Sequence, residues 1–432
     1  MAEVTSVPSE LPARSSLGTI GASSVVAAGL ATLLHVVAGR SLGADGYAHF
    51  LVVWGLFFML TGILPGLQQE VIRGVATARV HDLRDHRPVT GTLVIGAVGL
   101  VVILATSVLW ARRLVGGQGY AVAAALGVGF LCYAWANHVN GTLAATHRLP
   151  FYARAILVDG VLRFVFVAAV LVAGTGPFLW TLALVAPAIT WAWLATSAQV
   201  RAATMAPGDV DTAAFVRRAG HSMLSAACSA VVVAGFPVLL RLFGGGVDKG
   251  AAAGSVLAVL MATRAPLLLF LNAYQGVAIT RLVDSRSPLR TMVRWIGGGT
   301  LMSLPVAILG YLLGPTALRL VFGSDYHASR LLFVELVVSG LLLGVITLTG
   351  WTALALGHHT VFVSGWLVTV VVTAGLLTVP VSLQGRVALA LIVGPLVGTA
   401  VHLAALRRYP LGERPSDQST PTENADSRSW RE

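Results

Sequence analysis

The stretch from residue 17 to residue 73 reads LGTIGASSVVAAGLATLLHVVAGRSLGADGYAHFLVVWGLFFMLTGILPGLQQEVIR. Two apolar runs, residues 17–39 and 47–70, flank a Gly-rich turn that contains Asp45. Each run supplies about the 20 apolar residues that a helix needs to cross a bilayer. The stretch therefore predicts two transmembrane helices joined by a short turn.

Composition extends this prediction to the whole chain. The 432 residues are 56% hydrophobic and only 11% charged, whereas about a quarter of the residues in a soluble domain are charged. Apolar stretches of similar length follow one another, separated by short breaks that contain Arg or Gly. We expect an all-α polytopic membrane protein with about 12 transmembrane helices.

The predicted spans fall into two halves. A polar loop with Pro207, Gly208 and Asp209 lies near the midpoint, and similar segments that begin at Ala28 and Ala234 indicate a parallel internal repeat. The predicted units are a cytoplasmic tail (1–16), an N-terminal six-helix bundle (17–200), a cytoplasmic inter-bundle loop (201–217), a C-terminal six-helix bundle (218–406) and a cytoplasmic tail (407–432). The last tail is polar, which predicts disorder.

Charge distribution predicts the orientation. With the N-terminus in the cytoplasm, the inner loops carry about twice as many Arg and Lys residues as the outer loops, as the positive-inside rule requires. We therefore expect a multi-pass protein of the inner (plasma) membrane with both termini in the cytoplasm. The net charge of +11 is spread over these loops, so a nucleic-acid partner is not expected.

Two ionisable residues lie four positions apart near the middle of the fifth predicted span, residues 153–174. Asp159 and Arg163 share one helical face, and charges at this depth are costly enough to mark candidate functional sites. One interpretation is that they only neutralise each other. The other is that they line a water-filled cavity, where Arg163 binds an anionic group and Asp159 exchanges protons or modulates that binding.

Arg264 is the second basic residue near the middle of a span, and no acid lies within one helical turn of it. In one interpretation, Arg264 caps backbone carbonyls or pairs with an acid of another helix. In the other, which we favour, it lines the same cavity as Arg163. Three amides are further candidates for lining the cavity: Asn137, Asn272 and Gln275. Two membrane acids, Glu70 and Glu335, could couple transport to an ion.

Several motifs are absent from the sequence. It has neither a G-x-x-x-x-G-K-[ST] phosphate loop nor an H-E-x-x-H zinc motif, and no predicted loop is long enough for a nucleotide-binding domain. We therefore expect no metal and no cofactor, no ATP-driven transport by this chain alone, and no enzymatic activity.

The N-terminal stretch resembles the first two helices of polysaccharide exporters and lipid-linked oligosaccharide flippases, which belong to the multidrug/oligosaccharidyl-lipid/polysaccharide exporter superfamily. The resemblance rests on the Leu42-Gly43-x-x-Gly46-Tyr47-x-x-Phe50 turn and on Gly66-Leu67-Gln68 with Arg73 beyond it. In the second half, FGSDYHAS from Phe322 is similar to the loop before the tenth helix of that family.

This resemblance implies two six-helix bundles around a central cavity that opens alternately to either side of the membrane. The implied substrate is a lipid-linked sugar of the polyprenyl-pyrophosphate type, with other envelope polysaccharide assembly proteins as possible partners. Arg163 and Arg264 are the residues deep enough to contact it. The chain departs from the family in having few cations at this depth, which does not favour a strongly anionic substrate.

Three other functions are compatible with the sequence. A drug/cation antiporter of the same architecture would need more acids in the N-terminal half. A membrane glycan polymerase or ligase would need a longer outer loop. A scaffold for envelope synthesis would have its membrane charges paired and no cavity.

Overall fold

The structure is a computed structural model and is helical throughout its described part. It describes the backbone of residues 14–245, 250–285 and 287–408, with side chains from residue 21 onward except 266, 268–270, 272–277, 280, 284 and 408. The α-helices of this part are α1 (Arg14–Thr61), α2 (Pro65–Val80), α3 (Pro88–Val115), α4 (Gly119–Ala145), α5 (Leu149–Val172), α6 (Pro177–Val185), α7 (Ile189–Leu194), α8 (Ala198–Thr204), α9 (Thr212–Val233), α10 (Phe236–Phe243), α11 (Ala251–Asp284), α12 (Pro288–Phe322), α13 (Arg330–Ala355), α14 (His359–Leu376) and α15 (Leu383–Arg408).

Helix α1 is two helices joined at Gly43. This residue has φ 66° and ψ 177°, a conformation that glycine adopts readily because it lacks a Cβ atom. Tyr47 Oη lies 3.2 Å from His35 Nδ1, although twelve residues of straight helix would separate their backbones by about 18 Å. The chain therefore reverses direction at Gly43, within the turn that the sequence predicts.

The described chain contains eight helical segments that are long and apolar enough to cross a membrane, or nine with the bent pair α9 and α10. Two of these segments, Gly21–Val80 and Pro88–Ala145, are 60 and 58 residues long, and each has enough length for two crossings at about 1.5 Å per residue. Helix α11 enters this count only as the shorter apolar segment Ala251–Ala265. A polytopic all-α membrane protein is thus confirmed.

The helices form two bundles. In the first, α1 packs on α5 and α6, and α4 packs on α2, α3 and α6. In the second, α13 packs on α11, α12 and α15, and α14 packs on α15 and α9. The bundles meet where α1 contacts α10 and α11, and where α2 and α3 contact α9.

Close helix contacts join the bundles at both ends of the molecule. At the end that contains Gly43, termed the Gly43 end, a Cβ atom on Gly254 of α11 would overlap the carbonyl oxygen of Ala44. At the opposite end, termed the Arg73 end, a Cβ atom on Gly66 of α2 would overlap the backbone of Met223 in α9. Glycine is needed at both positions because backbones approach too closely for a side chain.

Two predicted boundaries differ from the structure. The inter-bundle loop, expected over residues 201–217, comprises only residues 205–211, because α8 continues to Thr204 and α9 begins at Thr212. The Asp211 side chain accepts a hydrogen bond from the Ala214 amide at 2.7 Å, and this N-cap starts α9 earlier than its polar composition indicated. Most of both predicted tails lies outside the described residues.

Two spans that the sequence predicts as continuous are broken, the sixth over residues 178–200 and the seventh over residues 218–240. The sixth is divided into α6 and α7 by a short turn, Ala186–Ala188, that contains Pro187. The seventh bends by 68° between α9 and α10, where Pro237 occupies the first turn of α10. Proline lacks the amide hydrogen that a continuing helix requires, so it favours a break at each position.

Candidate functional site

A cavity of about 280 Å³ lies within the N-terminal bundle. We term it the N-half cavity. Three helices each present one face to it, with lining residues at helical spacing: Ala27, Leu30, Ala31 and Leu34 of α1; Tyr133, Ala136, Asn137 and Asn140 of α4; and Ile156, Asp159, Gly160, Arg163 and Phe164 of α5. Phe58 and Trp191 complete the lining. The cavity is therefore mostly apolar, with polar groups concentrated on α4 and α5.

Asp159, Arg163 and Tyr133 form one hydrogen-bonded group in this cavity. The Tyr133 hydroxyl donates to Asp159 Oδ1 at 2.9 Å. Arg163 Nη2 donates to the Tyr133 hydroxyl at 2.7 Å and also to Asp159 Oδ2. Their side chains retain only 12% exposure for Arg163 and 17% for Asp159. Low exposure strengthens such charge-assisted bonds and fixes the position of the guanidinium group.

Aromatic rings surround the Arg163 guanidinium group. Its central carbon lies 5.1 Å from the ring centre of Phe57, 5.3 Å from that of Phe58 and 5.4 Å from that of Tyr133. Cations within about 6 Å of a ring face are attracted by its quadrupole. The positive charge of Arg163 is therefore stabilised by three rings in addition to one carboxylate.

Three polar atoms of lining residues are buried without a hydrogen-bond partner in the described part of the chain: Arg163 Nη1, Asn140 Oδ1 and Trp191 Nε1. Two of them are donors and one is an acceptor. An unsatisfied buried polar group costs about 1–3 kcal/mol, so natural structures retain few of them. Their concentration in one cavity indicates that it accommodates polar groups of a ligand.

The structure brings only some of the predicted site residues together. Asn137 lines the N-half cavity, where its amide nitrogen donates to the Tyr133 carbonyl oxygen at 2.8 Å. The side chains of Asn272 and Gln275 lie outside the described residues.

Arg264 is not part of the N-half cavity, although we expected it to share a cavity with Arg163. It is 1% exposed in the C-terminal half. Its Nη1 donates to the Val232 carbonyl at 3.3 Å, and its central carbon lies 5.8 Å from the Phe236 ring centre. The bend between α9 and α10 leaves carbonyls at the end of α9 without a helical partner, and Arg264 reaches one of them.

Glu70 belongs to an ionic cluster at the Arg73 end. Its carboxylate accepts bonds from Arg73 at 2.5 and 2.9 Å. Arg73 also donates to Asp209 at 2.8 Å, and Arg218 of α9 lies 3.3 Å from the same carboxylate. Because Asp209 lies in the inter-bundle loop, this cluster ties α2 to the start of the second bundle. Glu335 lies in the second turn of α13 and is half-buried.

Three lining residues, Tyr133, Phe58 and Trp191, were not predicted from the sequence. A signal existed for Tyr133, because Tyr133, Asn137 and Asn140 recur at the helical spacing of one face. Phe58 and Trp191 carried no such signal, because aromatic residues in apolar spans are as frequent in helix contacts as in cavities.

The fold is similar to that of solved membrane transporters. The structure is similar to an inward-facing multidrug resistance MATE family transporter of the MOP superfamily, with a TM-score of 0.65, 14% identity and coverage of 90% of this chain and 98% of that one. The outward-facing conformation of such a transporter gives a TM-score of 0.63 at 16% identity, covering 91% and 94%. At these identities the likeness establishes the fold.

A third similar structure is a MOP superfamily transporter from Pyrococcus furiosus, with a TM-score of 0.65, 15% identity and coverage of 92% of this chain and 96% of that one. That protein is described as having a binding pocket of reverse polarity, which suggests a different function for it.

Sequence relatives identify the family. No protein-family model matches the chain. The uncharacterized protein Mb3654 of Mycobacterium bovis is 36% identical over 413 residues, which cover 90% of this chain and 94% of that protein. The uncharacterized protein Rv1510 of Mycobacterium tuberculosis is 34% identical over 418 residues, covering 94% and 95%. The chain therefore belongs to the family of these two mycobacterial proteins.

Proposed function

We propose that the chain is a transporter that moves a lipid-linked oligosaccharide, or a polysaccharide precursor, across the plasma membrane by alternating access. Its fold supports this proposal because the similar MATE family transporters adopt inward-facing and outward-facing conformations. We further propose that both termini lie in the cytoplasm, as the distribution of Arg and Lys residues favours.

The observation that carries the proposal is the charge balance of the N-half cavity. Among the described residues that line it, Asp159 and Arg163 are the charged ones, and they neutralise each other. An amphiphilic saccharide needs hydrogen-bonding groups beside an apolar wall, and Arg163, Asn137 and Asn140 lie opposite the aliphatic face of α1. Sites for uncharged ligands commonly combine a few polar groups with an apolar lining.

A drug/cation antiporter of the same fold is the second candidate, because the cavity holds an acid at membrane depth. Such an antiporter needs a carboxylate that is free to exchange a cation for its substrate. Asp159 instead accepts hydrogen bonds from both Arg163 and Tyr133. A cation would have to displace the guanidinium group, so this geometry favours a saccharide carrier over a cation carrier.

Transport in proteoliposomes separates the two candidates. We expect the protein to expose a polyprenyl-pyrophosphate-linked oligosaccharide to an external lectin, and we expect no ethidium efflux under a proton gradient. Ethidium efflux without lectin exposure would establish the antiporter instead.

A charge exchange tests the role of Arg163 in the same assay. The double variant Asp159→Arg/Arg163→Asp retains an ion pair at helical spacing but reverses its polarity. We expect at least a tenfold loss of transport, because the donors of Arg163 no longer lie where the substrate binds. Arg154→Ala is the matched control on α5, since Arg154 is exposed outside the cavity. Equal transport by the exchanged and native proteins would show that the pair is purely structural.

A further inference from the structure

The N-half cavity distinguishes ligands by the mixture of hydrogen-bonding groups that it leaves free. Arg163 Nη1 and Trp191 Nε1 are donors and require an acceptor, whereas Asn140 Oδ1 is an acceptor and requires a donor. A phosphate diester or a carboxylate only accepts hydrogen bonds. An ammonium group only donates them. A hydroxyl group does both, so a polyol satisfies all three atoms with one kind of group.

The charge of the cavity leads to the same ligand class. Phosphate groups are usually held by several cations or by the amide groups at a helix N-terminus. Here the one cation is already paired with Asp159 and enclosed by Phe57, Phe58 and Tyr133. The lining residues of α1, α4 and α5 also lie within these helices and not in their first turns. A phosphate would therefore have to displace the carboxylate of Asp159.

Size and ring chemistry restrict the ligand further. The volume of about 280 Å³ lies at the lower limit of the roughly 300–1,000 Å³ that small-molecule sites occupy. Phe58, Phe164 and Trp191 supply aromatic surface, on which the C–H face of a sugar ring can pack. The cavity therefore suits one or two sugar rings and not a longer polymer.

We infer that the N-half cavity binds an uncharged sugar unit, and that Trp191, Asn140 and Arg163 contact its hydroxyl groups while the phosphate of the carrier lies elsewhere. This inference rests on the proposed function and specifies which part of the lipid-linked substrate this cavity recognises. It also makes Trp191 and Asn140 determinants of sugar binding.

Binding of four amphiphiles with the same tail tests the inference. The full-length protein in nanodiscs is titrated with dodecyl glucoside, dodecyl galactoside, dodecyl phosphate and dodecyltrimethylammonium, and intrinsic tryptophan fluorescence is measured. We expect saturable binding of at least one glycoside. Tighter binding of the phosphate or of the ammonium compound would overturn the inference in favour of an anion or a cation site.

Two variants and one control locate that binding. Trp191→Phe removes a donor and Asn140→Leu removes an acceptor at nearly constant volume, so each should weaken glycoside binding about threefold to tenfold. Trp193→Phe is the matched control, because Trp193 lies on the same short helix and is 58% exposed. Since the first variant changes the fluorescence signal itself, the affinities are also measured by calorimetry. Glycoside binding that both variants leave unchanged would refute the site.

The transport assay separates a failure of this inference from a failure of the proposed function. If lipid-linked oligosaccharide is transported equally by the native protein, Trp191→Phe and Asn140→Leu, the inference is wrong and the proposed function stands. If the glycosides bind as expected but no lipid-linked saccharide is transported, the sugar site stands and the proposed function is wrong.

Discussion

At the scale of single residues, Arg163 shows how a charge is stabilised at membrane depth. Lipid cannot solvate a guanidinium group, and here Asp159, the Tyr133 hydroxyl and three aromatic rings replace water around it. The pairing of Asp159 with Arg163 could be predicted from their spacing on one helix. Tyr133 could not be assigned in the same way, because its hydroxyl reaches the pair from another helix.

Removing only one of the two charges should destabilise the folded protein more than removing both. Arg163→Ala leaves Asp159 buried without its partner, and breaking a buried pair costs about 3–5 kcal/mol. We expect Arg163→Ala to lower the midpoint of thermal unfolding in detergent by more than the double variant Asp159→Ala/Arg163→Ala does. A double variant that is less stable than the single variant would show that the carboxylate is stabilised independently of Arg163.

Arg264 should behave differently, because its charge has little compensation. Its Nε and Nη2 atoms have no hydrogen-bond partner among the described residues, and its one described bond to Val232 is long at 3.3 Å. Met fills a similar space without a charge. We expect Arg264→Met to unfold at the same temperature as the native protein or at a higher one. A loss of more than about 2 kcal/mol would contradict this and would show a compensated charge.

At the scale of helices, the α4–α5 hairpin of the first bundle has a counterpart in α13–α14 of the second. Each hairpin turns through a left-handed residue, His147 in the first and Gly357 in the second. Asp159 and Arg163 then correspond in position to Thr369 and Thr373. Cβ atoms on Gly394 and Gly398 of α15 would overlap these two threonines.

The corresponding positions of the two bundles therefore have different surroundings. Thr369 and Thr373 pack closely against Gly398 and Gly394 of α15, whereas Asp159 and Arg163 line the N-half cavity. The internal repeat could be suspected from short similar segments, but its asymmetry could not be predicted. It depends on which glycines of α15 meet which threonines of α14, and helix contacts of this kind are set by tertiary packing and not by local sequence pattern.

The contact between the two bundles at the Gly43 end should require glycine at position 254. A Cβ atom there would overlap the carbonyl oxygen of Ala44, whereas nothing lies within 4 Å of a Cβ atom on Gly220. We expect Gly254→Ala to lower stability by about 1–3 kcal/mol, as overpacking does, and to increase maleimide labelling of an Ala48→Cys reporter. Gly220→Ala is the control. Unchanged labelling in Gly254→Ala would show that this contact does not hold the bundles together.

At the scale of the whole molecule, composition and span length were sufficient to predict a polytopic helical membrane protein, and the similarity to MOP superfamily transporters supports that prediction. The location of the cavity was not predictable in the same way. We expected Arg163 and Arg264 to share one chamber, but they lie in different bundles, because depth along a helix does not specify which neighbour its face meets. Only the packing of α1, α4 and α5 shows that Asn137, Asp159 and Arg163 face the same space.

A structure of the protein with a bound lipid-linked oligosaccharide tests the central claim most directly. We predict that a sugar unit occupies the N-half cavity, with its hydroxyl groups within about 3.2 Å of Arg163 Nη1, Asn140 and Trp191 Nε1. A head group bound between the two bundles beside Arg264, with none of its atoms in the N-half cavity, would contradict the account.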